Sequence, residues 1–421
     1  MTRLAAASLL ALALAASPLA AQQAPEKLAA EALEAAPVWD GHNDVPEQLR
    51  DRYRNMLAEF DFTDTTDVPS NGWSKGGMHT DLPRLRKGKV GAQFWSVYVS
   101  ANLPDAEATV AVLEQIDVMK RVIARYPDDL AYATSADEVA AAMKRGKIAS
   151  LLGMEGGYAI SDSLAVLRQF YALGARYMTL THSKAMSWAD SATDTPQHDG
   201  LTPFGEDVVR EMNRLGMLVD LSHVSEATMM DALAIAKAPV IFSHSGARAL
   251  NGHARNVPDS VLARLPENGG IVMVVALPGY ISEAQRQWFA NREAEKARLE
   301  SLWRGQPEAV KAALDSWDAA HEMPTANVSD MADHIDHIRK VAGIDHIGLG
   351  GDYDGMDTGP VGMEDASGYP VLFVELARRG YTKAELQKIA SGNMMRVLRG
   401  AEAYAASVRA MPPIETPLPE D

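Results

Sequence analysis

The 421-residue sequence contains no cysteine. That absence excludes disulfides, thiolate metal ligands and lipid attachment through a cysteine, so any bound metal must be held by histidines and carboxylates. After the N-terminal segment no stretch of about 20 uncharged apolar residues occurs, as a membrane-spanning helix would require. A basic excess is also missing: 40 lysines and arginines face 56 aspartates and glutamates, a net charge of −16. This argues against nucleic acid and anionic membrane surfaces as partners, and simple solubility accounts for the acidic balance.

What is present begins with a leader. Met1-Thr2-Arg3 is positively charged, an Ala/Leu run from Leu4 to Ala16 follows, and Ser17-Pro18-Leu19-Ala20-Ala21 supplies small residues for cleavage. Residues 1–21 read as a signal peptide, so an exported protein, periplasmic or secreted and without a membrane anchor, is expected. Residues 22–36, rich in Ala and Glu, predict a short helix. The Pro-rich tail 411–421 predicts an extended or disordered end.

Between these ends, residues 22–410 read as one domain. Short β-rich segments recur at Val38–Asp44, Val90–Ser100, Ile148–Gly157, Ala175–His182, Met217–His223, Val240–Gly246, Gly270–Leu277 and His346–Gly355. Helical patterns separate most of them, such as Met331, His334, Ile335, Ile338 and Val341 on one face. Eight strands alternating with helices, several as continuous apolar runs, predict an α/β fold of the (β/α)8 TIM-barrel type. A doubly wound open sheet is the alternative. Residues 45–89 and 281–326 interrupt the rhythm after strands one and seven. The second stretch is charged and helical, and reads as a lid, a dimer contact or a solvated insertion.

Catalytic groups of barrel enzymes sit at the C-terminal strand ends. Here those ends carry His42 and Asp44, Glu155, His182, His223, His244 and Asp352. Any one of them alone reads as a capped turn or a satisfied core residue. Six strands delivering such groups to one face make coincidence a poor account. His42-Asn43-Asp44 turns two side chains to the same side of a strand, where they can share a divalent cation. His223 and His244, from adjacent strands, suit a second one. Glu155 follows an apolar strand, where an uncompensated carboxylate would be costly, so it reads as a bridge between two cations. Asp352 closes the last strand beside the first and can reach the same metal as His42 and Asp44. Asp354, on the same face, reads as a supporting or turn residue.

These residues sit in an ordered set of motifs: Asp40-Gly41-His42-Asn43-Asp44, Gln93-Phe94-Trp95-Ser96, Glu155-Gly156-Gly157, Leu180-Thr181-His182, Asp220-Leu221-Ser222-His223, Ser243-His244-Ser245, Arg255-Asn256-Val257-Pro258-Asp259 and Gly351-Asp352-Tyr353-Asp354-Gly355. From about Val38 to about Leu398 the chain resembles the membrane (renal-type) dipeptidases, peptidase family M19. The resemblance implies two zinc ions, one held by His42, Asp44, Glu155 and Asp352 and the other by Glu155, His223 and His244. It also implies that His182 contacts the substrate and supports the tetrahedral intermediate, and that Arg255 and Tyr280 bind the terminal carboxylate of a dipeptide. Asp352 would carry the proton while metal-activated hydroxide attacks the peptide bond. The family suggests a homodimer. Three departures stand out: a longer helical insertion after Tyr280 than in the mammalian members, the loss of their cysteines and C-terminal anchor signal, and Glu47 after Pro46 where an aromatic is expected. A hydrolase of other amides, β-lactams or lactones remains the alternative, and a non-catalytic exported binding protein is a more distant one.

Overall fold

Among the described residues nine parallel strands form the sheet: β1 (Val38–Asn43), β2 (Val90–Tyr98), β3 (Leu130–Tyr132), β4 (Ile148–Glu155), β5 (Ala175–Thr179), β6 (Leu218–Asp220), β7 (Ile241–Ser245), β8 (Ile271–Val274) and β9 (Ile347–Leu349). The structure, a computed structural model, describes residues 23–71 and 76–415, so the expected leader 1–21 lies outside the described residues. Eight of the strands close on themselves, because β9 pairs with β1 and β2 pairs with β4 from Ala92 to Tyr98. With helices outside, this is the expected TIM-type barrel, and the open-sheet alternative is excluded.

The additional strand, β3, is a correction to the sequence reading. It pairs with Ile148–Ser150 of β4, on the edge that β5 occupies from Leu152 onward. Three residues, Leu-Ala-Tyr, are too few to show a two-residue period.

Each barrel strand is buried almost throughout, and alternate residues fall into two apolar clusters. Trp39, Phe94, Leu151, Tyr177, Ile241 and Met273 belong to one, while Val38, Trp95, Leu152, Met178, Phe242 and Val272 belong to the other. The first fills the barrel and the second lies under the helices, which explains the continuous apolar runs in the sequence. The helix Val328–Val341 follows its expected face, burying Met331, His334, Ile335 and Ile338.

Strands β6 and β9 are only three residues long, and the chain leaves the ladder early at both. His223 and Asp352 lie three residues past these strands with φ of 69° and 62°, in the left-handed region that non-glycine residues seldom adopt. Such conformations cost roughly 1–3 kcal/mol each and persist where surrounding contacts over-determine them.

Two interruptions of the barrel are both built around helices. After β1 come Val45–Tyr53 and Leu82–Lys87; between β8 and β9 come the long helices Glu283–Leu302 and Pro307–Ala320. The N-terminal segment forms the expected helix, Pro25–Ala35. Of the tail, residues 412–415 lack regular structure and Ile414 is tied to Glu211 and Arg168; residues 416–421 lie outside the described residues. Among the described residues no helix is long and apolar enough to cross a membrane.

Candidate metal centre

All six expected metal ligands meet at the C-terminal mouth of the barrel. His42 lies within β1, Glu155 ends β4 and His244 lies within β7; the β2–β4 ladder runs unbroken to Glu155, whereas His42 and His244 fall where the register of β1 and of β7 shifts. Asp44 stands at the N-cap of the helix Val45–Tyr53 but accepts no capping bond. Its neighbour Asn43 accepts from the Val45 amide instead, at 3.0 Å, which leaves the Asp44 carboxylate for the site. Gly355 makes room for it: a β-carbon there would lie 2.3 Å from Asp44 Oδ2.

Glu155 is the hub. Its Oε2 lies 3.3 Å from His42 Nε2, and its Oε1 lies 2.9 Å from His223 Nε2 and 3.3 Å from His244 Nε2. His42 Nε2 is in turn 3.4 Å from Asp44 Oδ2. Ligand atoms of His42, Asp44 and Asp352 form one compact group, those of His42, Glu155 and His244 a second, and those of Glu155, His182 and His223 a third, each within 4.8 Å. The carboxylate that belongs to two of the three groups is the one expected to bridge.

The donor set fits divalent cations. His42 Nε2 and Asp44 Oδ1 are buried without a hydrogen-bond partner, although an orphaned polar atom in the interior costs about 1–3 kcal/mol. His223 Nε2 and His244 Nε2 face each other at 3.0 Å. Burial holds both imidazoles well below the usual histidine range, with Arg255 reinforcing it at His223 and His42 at His244. Two neutral rings then converge on a carboxylate with lone pairs available, as ligands must. Burial opposes charge on His42 as well, but Tyr177, Glu155 and Asp44 outweigh it and push that ring up. Burial opposes charge on Glu155 too; His42, His223 and His244 overcome it, so Glu155 stays ionised. Asp44 and Asp352 are both pushed up, chiefly by burial; Glu155 adds repulsion at both, and the two carboxyls repel each other. Cations placed among them would relieve this crowding of negative charge.

The expected substrate residues line the same cavity, of about 760 Å³. His182 lies three residues beyond β5, its ring 4.2 Å from that of His223, its Nε2 3.9 Å from Glu155 Oε1 and its Nδ1 buried without a partner. Burial, with Arg255 and His42 nearby, holds it neutral. Arg255 is only 1% exposed and makes no ion pair among the described residues. Its guanidinium donates to Ser245 Oγ at 3.3 Å and to the His244 carbonyl at 3.2 Å, while Nε has no partner. A surface ion pair, the ordinary role of an arginine, is thus ruled out for it. Its guanidinium carbon stands 5.5 Å from the ring centre of Tyr280. Asp354 is a turn residue, accepting from the His79 amide at 2.7 Å through Oδ1 and from Gln48 Nε2 through its carbonyl.

The profile of the membrane dipeptidases, peptidase family M19, matches residues 26–412. The sequence is 42% identical to dipeptidase 3 of Rattus norvegicus over 389 residues, covering 91% of this chain and 69% of that one, and 42% identical to dipeptidase 3 of Homo sapiens over 388 residues with the same coverage. The chain belongs to the membrane dipeptidase family. Among solved structures, a probable dipeptidase, PvdM, from Pseudomonas aeruginosa superposes with a TM-score of 0.76 at 24% identity, covering 90% of this chain and 99% of that one. A metallo peptidase from Rhodobacter sphaeroides gives 0.70 at 23%, covering 87% and 99%. These two likenesses concern the fold. By family, the protein is a metallo-dipeptidase.

Several residues that hold this dipeptidase site were present in the quoted motifs without an assigned task. Asp220 Oδ1 accepts from the backbone amides of Ser222 and Ser243, and Oδ2 accepts from Ser243 Oγ at 2.6 Å and Thr179 Oγ1 at 2.5 Å. Because Ser243 gives its proton to Asp220, its oxygen must accept from His244 Nδ1, 2.8 Å away. That sets the tautomer and leaves Nε2 bare toward Glu155. Tyr177 Oη holds the His42 ring by a hydrogen bond with Nδ1 at 2.9 Å, and Ser96 donates to Glu155 Oε2 at 3.1 Å. Glu47, the departure noted from the family pattern, lines the cavity, where burial and then Asp44 push its carboxyl well up.

Proposed function

We propose that this metallo-dipeptidase holds two zinc ions, with His42, Asp44, Glu155 and Asp352 as one ligand set and Glu155, His223 and His244 as the other, and hydrolyses the peptide bond of dipeptides. The observation that carries the substrate reading is Arg255: a buried guanidinium without a carboxylate partner, facing the cavity that the metal ligands floor. A buried charge of this kind is costly unless paired, and the free carboxylate of a dipeptide is the partner that fits it.

When bound, the metal pair lowers the pKa of water and polarises the scissile carbonyl. The protein groups do the rest. Arg255, with Tyr280 beside it, fixes the terminal carboxylate and so sets how far the peptide bond lies from the metal ligands. Neutral His182 can donate a hydrogen bond to the oxygen that gains charge as the carbonyl carbon becomes tetrahedral. Asp352, grouped with His42 and Asp44 and lining the cavity, is placed to take a proton on a carboxylate oxygen and pass it to the departing amine. A C-terminal D-residue is part of the proposal; the Rhodobacter sphaeroides relative was solved with a phosphinate mimic of L-Ala-D-Ala. The reading also takes the enzyme to be exported, on the expectation that residues 1–21 are a signal peptide.

The test is a hydrolysis screen of purified protein over L,L and L,D dipeptides, N-acyl amino acids, β-lactams and lactones, with zinc measured on the same sample. Two zincs per chain and turnover confined to free dipeptides are expected. Turnover of lactones or β-lactams with no dipeptide cleaved would overturn the proposal.

A further inference from the structure

Two of the helices between β8 and β9 form a braced pair beside the cavity. Glu283–Leu302 and Pro307–Ala320 are clamped to each other by Arg292, whose Nε and Nη2 donate to Asp318 at 2.8 and 2.9 Å. Trp288 Nε1 donates to the His321 carbonyl at 2.7 Å and its ring stands 5.7 Å from that of Trp317. Gln285 Nε2 donates to the Pro324 carbonyl at 3.1 Å, which fixes the returning chain. This braced pair supplies Trp288 and Phe289, and the returning chain supplies Met323, to the lining of the same cavity as the candidate metal ligands.

Phe289 is 45% exposed and Met323 42% exposed, so both present apolar surface at the cavity rather than to the core. Clustered exposed apolar groups at a concave site mark a place where a ligand covers them. The position of this wall relative to Arg255 says which part of the ligand that is. Arg255 stands over Tyr280, and Leu277, Pro278 and Gly279 continue the lining from Tyr280 toward Phe289. A β-carbon on Gly279 would lie 4.0 Å from the Phe289 ring. A substrate whose carboxylate is gripped by Arg255 therefore has its C-terminal residue, and not its N-terminal one, next to the inserted helices.

We propose that the insertion forms a subsite for a large apolar side chain on the C-terminal residue of the dipeptide, with Phe289 and Met323 as the residues that select it. The inference rests on the dipeptidase reading. It gives the insertion a role in specificity, and it sets the substrate class as dipeptides ending in Leu, Met, Phe or Trp.

The experiment compares Gly-Gly, Gly-Ala, Gly-Leu and Gly-Phe with wild type, Phe289→Ala, Phe289→Leu and Met323→Ala. Wild type should favour Gly-Leu and Gly-Phe over Gly-Ala by about tenfold or more in kcat/KM, the order expected for burying several methylenes in a pocket. Phe289→Ala and Met323→Ala should lose that preference while Gly-Ala cleavage stays within about twofold, which also reports that the variants are folded. Phe289→Leu should restore most of it. Binding of non-hydrolysable phosphinate dipeptides ending in Ala or Phe should show the same selectivity without turnover. A flat wild-type series, or a loss of equal size on every substrate, would overturn the subsite and leave the dipeptidase reading standing. Failure to cleave any dipeptide would defeat that reading itself.

Discussion

Arg255→Ala removes the group on which the choice of a free dipeptide depends. The guanidinium is 1% exposed, and its two hydrogen bonds, at 3.2 and 3.3 Å, are long. Most of its donor capacity is thus kept for a ligand. Truncating one member of a buried, hydrogen-bonded charge pair costs about 2–5 kcal/mol. A value of about 3–4 kcal/mol translates to a fall of about 10² to 10³ in kcat/KM for a free dipeptide. The corresponding dipeptide amide never forms the pair, so its lower kcat/KM should change by no more than about threefold. Steady-state kinetics on matched acid and amide substrates, such as Gly-Leu and Gly-Leu-amide, measure both. Zinc content must be measured alongside, because Arg255 touches the carbonyl of His244 and a collapsed ligand would mimic the effect. Arg255→Lys should recover only part of the loss, since an ammonium cannot make the bidentate contact. Equal losses on acid and amide, with both zincs retained, would refute the carboxylate role.

Other perturbations report on different parts of the site. Glu155→Gln leaves the shape but removes the charge shared by His42, His223 and His244, and is expected to reduce zinc below two per chain and turnover by at least about 10³; two retained zincs with full turnover would contradict the assignment. Ser243→Ala breaks the relay from Asp220 to His244 Nδ1 and should weaken zinc binding by about 10- to 100-fold, read in competition with a chromogenic chelator. His334 is fully buried, accepts from the Ala247 amide at Nδ1 and faces the Ile281 carbonyl with Nε2, and burial lowers its pKa to about 4 from 6.5. A base lowered in the folded state binds fewer protons there than in the unfolded chain, so stability is fully present above pH 6.5 and falls on the way down through pH 4. The total is about 3 kcal/mol. Wild type should lose that much more than His334→Gln between pH 7 and pH 4 in urea unfolding, and parallel curves would refute it.

The barrel was legible because both faces of its strands are covered, which writes each strand as an apolar run ended by a polar residue. Val90–Tyr98 and Ile148–Glu155 show this most clearly. Leu130–Tyr132 escaped because a three-residue strand has no period to read. The candidate ligands were legible for a related reason: an isolated carboxylate such as Glu155 behind an apolar strand has no ordinary explanation. Asp220 and Tyr177 were not, since each looks like a common strand residue and their partners, Ser243 and His42, are 23 and 135 residues away. Sequence order cannot show which hydroxyl meets which imidazole.

The strand ends explain why this chemistry sits where it does. The ligands carried within strands, His42 and His244, fall where the register of β1 against β2 and of β7 against β8 shifts, and they reach only toward the barrel axis. The second half of the site needs groups that turn back over it, and the chain supplies them by leaving the sheet after three residues at β6 and β9. His223 and Asp352 occupy the left-handed turns that follow. A glycine would adopt those turns without strain but would supply no ligand. The strain is therefore located at two positions where the proposed site requires a side chain, and metal binding there would offset it. Chelation should accordingly loosen these two turns before it disturbs the ladder, so hydrogen exchange on metal removal should accelerate at residues 221–224 and 350–355 while the amides of β2 and β4 stay protected. Uniform exchange across the barrel after chelation would show instead that the metals support the fold as a whole.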